Sequence, residues 1–391
     1  MNQYFDVAVI GGGVVGLCAA VAMAQRGFSV AIIDAGTLQV DLTKQDPRVY
    51  AINQASQDLL LDLGVWQQLD KTRTSPYRHM YVWDAANGAH IEFDSRLIAG
   101  SNLGVIVEES ALKQVLLQKL NLEKVVFFPR SLITTFETNA DFIQVNSDKK
   151  SWQAKLVMVA DGANSPCRQL LNVPLTSWPY HQQALVASVR TEKAHQQTAY
   201  QVFNADGPLA FLPLNGDKQC SIVWSTSPTH ANQLMTLSDE EFNRELTEAF
   251  ASKLGQVWVQ GKRYQFPLTM RHVNQYSGKR WLLLGDAAHT IHPLAGLGLN
   301  VGLADVSVWL DCLAKSKNCL TSSTALSAYQ RQRKQAVWQI IATMEALKTL
   351  FLNPLPPVVT LRNLGLRVCN RFSPLKRVFI EHAIGKKLSM L

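Results

Sequence analysis

The sequence lacks the marks of several protein classes. Its six cysteines, Cys18, Cys167, Cys220, Cys312, Cys319 and Cys369, form no CxxC pair and are scattered over 391 residues. That pattern suits reduced thiols and excludes a disulfide framework. No repeat and no low-complexity run occurs, which excludes solenoid and fibrous folds. Charged residues are only 17% and hydrophobic ones 47%, so the chain is not of the disordered kind. Basic charge is missing from most of the chain. Residues 325–391 hold eleven Lys/Arg against Glu345 and Glu381, a local +9 within a total of +8, which leaves −1 for the other 324 residues. This argues against a nucleic-acid enzyme with a basic active face. A basic tail suits an anionic membrane surface or an acidic partner. The plainer reading is a solvated helical face.

Long apolar runs are scarce too. The exception is Val7 to Ala24, 18 residues without a charge. It is nominally long enough to span a bilayer, and Ala22-Met23-Ala24 imitates a signal cleavage site. The flank carries Asp6 where a signal peptide needs basic residues, and four glycines lie inside the run. Both readings are rejected. No transit peptide is evident. A cytoplasmic protein of a bacterium is expected, with peripheral contact at the inner face of the inner membrane through the tail.

The run instead reads as a nucleotide site. Phe5 to Ile10 forms a buried strand. Gly11-Gly12-Gly13-Val14-Val15-Gly16 follows, then an Ala-rich helix over 17–26, closed by Gly27. Ser29 to Ile33 is a second strand, ending in Asp34. This is a βαβ opening with GxGxxG at the strand–helix turn. Gly11 permits the turn, Gly13 lets the backbone approach a pyrophosphate, and Gly16 lets the helix pack on the strand. The helix N-terminus offers N–H groups and a positive dipole end. Asp34 can accept hydrogen bonds from ribose hydroxyls, and it would repel a 2′-phosphate.

Two later segments favour FAD over NAD. Lys155 to Ala160 is a strand followed by Asp161-Gly162-Ala163-Asn164-Ser165 and Arg168. Trp281 to Leu284 is another, followed by Gly285-Asp286-Ala287-Ala288-His289, His292-Pro293 and Gly296-Leu297-Gly298-Leu299-Asn300. Asp286 can bind ribityl hydroxyls, which NAD lacks. A helix starting near Leu299 would turn its free N–H groups to the pyrimidine edge of a flavin.

The three segments together resemble the flavin-dependent aromatic hydroxylases, and among these the aerobic hydroxylases of ubiquinone biosynthesis. Arg48, in Asp46-Pro47-Arg48-Val49-Tyr50-Ala51, matches the family arginine that reaches FAD. The resemblance runs from Asp6 to the end of the chain. Ser75-Pro76-Tyr77 through Val82-Trp83-Asp84, Ala184 to Ala187, Ala210 to Leu214 and Cys220 to Ser225 look most like the branch that hydroxylates ring carbon five of a 2-polyprenylphenol. The resemblance implies FAD as cofactor and NAD(P)H as a transient reductant. It implies O2 and a polyprenylated phenol as substrates, with oxygen delivered from a flavin hydroperoxide, and a C-terminal tail that meets the membrane or a complex of ubiquinone-biosynthesis proteins. The candidate cofactor-binding residues are Gly11, Gly13, Val14, Val15, Gly16, Asp34, Arg48, Asp161, Gly285, Asp286, Pro293, Gly296, Gly298, Leu299 and Asn300. Two positions depart from the family. Leu297 stands where Gln is usual, and Glu109 where Asn is usual.

The expected fold is α/β. A Rossmann-like FAD-binding domain (1–74, 96–175 and 270–324) is interlaced with a mostly antiparallel substrate sheet (75–95 and 176–269), and a basic helical tail covers 325–391. No second GxGxxG follows a strand, so the nicotinamide has no Rossmann domain of its own. His289 and His292 form an HxxH pair without a third ligand, so no metal is assigned. Tyr77, Tyr200, His181 and the tryptophans are candidates for lining the pocket or for ordinary core. No catalytic acid or base is named. Alternatives are a sister hydroxylase of another ring carbon, a flavin reductase of isoprenoid lipids, and a non-catalytic lipid-handling subunit.

Overall fold

The protein is described by a computed structural model covering residues 3–98, 100–123, 125–292, 296–353 and 355–385. Five short strands rich in Val, Ile and Leu pair in parallel. Gln3–Ile10 lies between Val30–Ile33 and Ser151–Val159, with Val125–Phe128 beyond the first and Trp281–Leu283 beyond the second. Such strands are buried on both faces, which is why they read as continuous apolar runs. The crossover helix Val14–Ala24 is almost wholly buried. It packs against the sheet, against Glu109–Asn121 and against Gly298–Lys315. An all-apolar helix needs such an enclosed position, and the 18-residue uncharged run is therefore core.

A second sheet of eight strands has the order His289–Thr290, Val257–Val273, Leu175–Thr191, Gln219–Thr226, Gly207–Pro213, Thr198–Asn204, His79–Asp84, His90–Asp94. Its pairs are antiparallel except Thr198–Asn204 with His79–Asp84. Alternate side chains point to opposite faces. One set, including Leu185, Phe211, Ile222 and Trp224, packs under helices Pro228–Thr236 and Asp239–Ala249 through Leu234, Phe242 and Phe250. The other face meets the strand Val49–Ile52 through Leu212 and Leu214. The strand Val257–Val273 runs through the position where the sequence suggested a boundary, and His289–Thr290 pairs with it. The strand stays in the second sheet, while its Met270 and Val273 enter the core of the parallel sheet.

Among the described residues the C-terminal segment holds three helices, Ser323–Leu352, Pro356–Arg371 and Ser373–Ala383. The first is a staple more than a tail. Tyr329, Val337 and Ile341 enter the core of the parallel sheet. Met344, with Ile340, Leu347 and Phe351, joins Val82 and Phe203 of the second sheet.

Candidate functional site

Gly11, Asp34, Asp161 and Gly285 each follow the carboxyl end of a strand, and those four strands are adjacent and parallel. The four loops therefore open on one edge of the sheet, where open α/β sheets bind ligands. Gly11 has φ +107°, and a Cβ there would overlap the Ala160 carbonyl. At Gly16 a Cβ would overlap the Gly11 carbonyl oxygen, so the helix rests directly on the turn. At Gly13 nothing lies within 4 Å of a Cβ position. The helix begins there with no side-chain cap, which leaves first-turn N–H groups for a ligand. A cleft of about 390 Å³ runs past Gly11, Gly12, Gly13, Asp34, Asp161 and Gly162.

The carboxylates on this cleft are held in place. Asp34 accepts from the N–H of Gly12 and of Gly36 (2.6 Å). Asp161 accepts from the N–H of Cys167 at 3.1 Å through Oδ2, while its Oδ1 is buried without a partner among the described residues. An unpartnered buried acceptor is costly unless a ligand donor fills the place. The bare helix N-terminus, the space at Gly13 and this orphaned oxygen fit a dinucleotide with hydroxyl-bearing sugars.

The Gly285-Asp286 turn is built on Val15. A Cβ on Gly285 would meet Val15 Cγ2 at 3.2 Å, and one on Gly302 at 2.7 Å. Val14 is core and Val15 is the packing surface for the turn. The Asp286 side chain reaches solvent, with protein crowded around its base. Burial pushes its carboxyl above the usual range, and His289, Arg48 and Arg271 oppose the shift.

Beneath the turn lies a network that the motifs did not reveal. Asp305 is fully buried and accepts from the Gly285 N–H (2.7 Å), His289 Nε2 (2.7 Å) and Arg333 Nε (2.6 Å). Tyr329 donates to the Leu283 carbonyl at 2.6 Å. Arg168, also buried, donates to the carbonyls of Ala287 (3.0 Å) and Ala163 (3.1 Å) and so joins the 161–165 loop to the Gly285 turn. The available signal was an acid inside the apolar helix Gly298–Lys315, and an arginine soon after Asp161-Gly162.

The N-terminus of Gly298–Lys315 also lacks a side-chain cap. Gly296 has φ +61° and faces Ala51, with a Cβ position 3.3 Å from the Ala51 Cβ. The Asn300 side chain is used within the protein. It donates to the Ala51 carbonyl (2.7 Å) and accepts from the Asn53 N–H (3.0 Å). Its carboxamide is a brace for the strand Val49–Ile52, which leaves the backbone for a cofactor. Leu299 is core. Gly298 opens the helix, with nothing among the described residues within 4 Å of its Cβ position. Pro293 lies outside the described residues. Leu297 packs against both the parallel-sheet core and the Val82–Phe203 cluster, so an apolar residue suits that position.

Arg48 is held by Glu109, with Nη1 3.1 Å from Oε2, and Tyr50 donates to the same oxygen at 2.7 Å. Glu109, one of the two departures, is thus the anchor of Arg48. A second cavity of about 390 Å³ lies between this pair and the second sheet, lined by Arg48, Glu109, Val186, Val223, Tyr264 and Phe266. Tyr200 faces away, against Tyr81 and Phe250 under the outer helices. Trp83 and Trp224 share that core. His181 is exposed at a break in the pairing between Pro179 and Gln182. These residues are packing and surface rather than chamber.

The two histidines of the HxxH pair go to separate partners. His289 meets Asp305, and His292 Nε2 meets Gln182 Oε1 at 3.1 Å. Burial pushes His292 down to about 4, helped by Lys348. Burial likewise pushes His272 down to about 4, with His289 and Lys334 adding to it. His272 is fully buried, with no partner among the described residues for either ring nitrogen, and lies against Trp338. Both are neutral in the fold and protonate near 6.5 when unfolded. Their contribution is complete above pH 6.5 and is lost as pH falls toward 4, at about 1.4 kcal/mol per pH unit for each proton taken up on unfolding. Urea unfolding across this window should show that slope, and His272→Phe should reduce it by one proton. An unchanged slope in the variant would mean that His272 is protonated in the fold.

Comparison with known proteins agrees with this geometry. The family described as "FAD binding domain" matches residues 4–344. The chain is 37% identical to the 3-demethoxyubiquinol 3-hydroxylase of Escherichia coli K12, over 98% of this chain and 99% of that one. It is 33% identical to the ubiquinone hydroxylase UbiL of Rhodospirillum rubrum, over 98% of this chain and 90% of the relative. Among solved structures, p-nitrophenol 4-monooxygenase PnpA from Pseudomonas putida DLL-E4 superimposes with a TM-score of 0.81 at 18% identity, covering 99% of this chain and all of that one. That likeness concerns the fold.

Proposed function

Because this chain belongs to the FAD-binding hydroxylases of ubiquinone biosynthesis, we propose that it places one oxygen atom from O2 on the ring of a polyprenylated phenol, with NAD(P)H as reductant. It is a flavin-dependent aromatic monooxygenase, and its cofactor is FAD. The convergence of Gly13, Asp34, Asp161 and Asp286 on one sheet edge carries the reading.

In this reading the N–H groups of Val14, Val15 and Gly16 take the pyrophosphate, with Gly11 and Gly13 giving the backbone room. Asp34 takes the adenosine ribose. Asp161 Oδ1 and Asp286 take hydroxyl donors further along the cofactor. Gly285, Gly296, Gly298, Leu299 and Asn300 supply turn and backbone at the flavin end, where the helix N-terminus favours negative charge. FAD, when bound, supplies the redox chemistry and the activation of oxygen. The protein orients the phenol and excludes water. The second sheet presents Val186, Val223 and Phe266 as an apolar wall over Arg48.

The relative at 37% identity is named for 3-demethoxyubiquinol, and we assign this chain a substrate of that class. The second reading, ring carbon five of a 2-polyprenylphenol, is favoured by the segments at 75–84, 184–187, 210–214 and 220–225. Expression in two hosts, each lacking one of the two hydroxylases, separates them by mass spectrometry of the quinone precursors. Restoration only in the host that accumulates demethoxyubiquinol supports the first reading. Restoration only in the other supports carbon five, and restoration in neither from a soluble, flavin-loaded protein contradicts both. A prenylated substrate resides in bilayers, so the reading includes contact with a membrane surface. No helix among the described residues is long and apolar enough to cross a membrane, and the contact proposed is peripheral.

A further inference from the structure

The helix Pro356–Arg371 is apolar on two opposite sides. Its inner side packs on the edge strand His90–Asp94. There Leu366 and Cys369 join Val82, Ile91, Phe203 and Met344, and Arg362 is buried against Asp84 at 2.6 Å. The outer side carries Leu361, Leu364, Val368 and, just past its end, Phe372. The spacing i, i+3, i+7, i+11 puts them on one stripe. They are 67%, 58%, 52% and 57% exposed. The next helix adds exposed Val378 and Phe379. A surface helix normally turns polar residues to water, and a contiguous apolar stripe of this kind marks a contact.

Charge selects the occupant. Arg367 and Arg371 are exposed beside the stripe, and residues 356–371 contain no Asp or Glu. Glu381 in the following helix is held by Arg377 at 2.9 Å. A second copy laid on this face would set arginine against arginine, with no acid on the helix itself to sit between them. An anionic phospholipid surface supplies both an apolar layer for the stripe and negative charge for its flank. We infer that the outer face of 361–379 docks on an anionic bilayer. The inner side of the same helix is one wall of the apolar cluster that contains Leu297, which stands at the helix N-terminus assigned to the flavin. Docking therefore sets the bilayer against the side of the protein nearest that cluster. This inference deepens the reading of a lipid substrate and rests on it for its purpose, but its test does not involve the reaction.

The test is sedimentation of the FAD-loaded full chain with vesicles of phosphatidylcholine alone or mixed with phosphatidylglycerol. Binding should be at least about tenfold tighter to the mixed vesicles and should weaken with salt. Arg367→Glu with Arg371→Glu, and separately Leu364→Ser with Phe372→Ser, should each weaken it at least about tenfold. Flavin absorbance and circular dichroism should stay as in the wild type. Absence of binding by a folded wild-type protein would overturn the inference, as would equal binding by both variants. So would a concentration-dependent dimer, seen by light scattering, that the Leu364/Phe372 variant abolishes. Vesicle binding without any hydroxylation would leave the docking face standing and defeat the functional reading instead.

Discussion

Asp305→Asn should lower the unfolding free energy by about 3–5 kcal/mol and leave the purified protein short of flavin. The carboxylate has no solvent exposure and serves three donors at 2.6–2.7 Å. Burial works against its charge, but His289, Arg333 and the Gly285 N–H outweigh that and hold its pKa below the ordinary value. An amide of the same shape cannot balance Arg333, which is 5% exposed. Breaking one half of a buried ion pair strands the other charge, and that sets the magnitude. Because the Gly285 N–H hangs on the same carboxylate, the turn carrying Asp286 should loosen along with the core. Denaturant unfolding of the apoprotein and titration with FAD measure the two effects separately. Adding Arg333→Met should recover part of the stability, since replacing both members of a buried pair costs less than removing one. A single variant as stable as wild type would mean that this network does not hold the turn.

Gly13→Ala and Gly11→Ala should fail in different ways. Gly13 has φ −75° and ψ 171°, a conformation alanine adopts freely, and its Cβ would meet nothing within 4 Å. The apoprotein should keep its stability to within about 1 kcal/mol. The added methyl stands in the cleft where the backbone must approach the pyrophosphate. FAD affinity should therefore fall at least about tenfold, or about 1.4 kcal/mol. Gly11 has φ +107°, and alanine there would overlap the Ala160 carbonyl. This substitution should destabilise the apoprotein by several kcal/mol as well as remove the cofactor, on the order of 3 kcal/mol for strain and overpacking together. Flavin fluorescence titration and apoprotein melting check both. A Gly13→Ala protein with wild-type FAD affinity would show that the cofactor does not approach that backbone.

The nucleotide motifs were legible because their physics is local. A strand, three glycines at fixed spacing and a helix start determine one turn within a dozen residues, and a Cβ would overlap the Ala160 carbonyl at Gly11 and the Gly11 carbonyl oxygen at Gly16. The supports of that turn were not legible. Asp305 and Arg333 are 28 residues apart, and Arg168 and Ala287 are 119 apart. No local pattern joins them. Asn300 was read as a cofactor contact; its carboxamide braces Ala51, 249 residues away in sequence, which leaves its backbone for that role. Charge counting could not sort the basic residues of the C-terminus. Arg333 and Arg362 are buried against Asp305 and Asp84, whereas Arg367 and Arg371 face solvent. One basic segment thus contains both core ion pairs and a cationic surface, and only packing separates them. Tyr200 illustrates the period-two ambiguity of strands. Its residue type suited either face, and the sheet turns it toward Phe250.

The most direct test of the central claim is a single turnover under 18O2. The purified FAD-loaded protein is given NADH or NADPH and a short-chain demethoxyubiquinol, and the quinol is examined by mass spectrometry. The account predicts one atom of 18O in the ring hydroxyl of the product, with reductant consumed in proportion. Reductant consumption with hydrogen peroxide as the only oxygen product, or a reduced lipid formed equally well without O2, would contradict it.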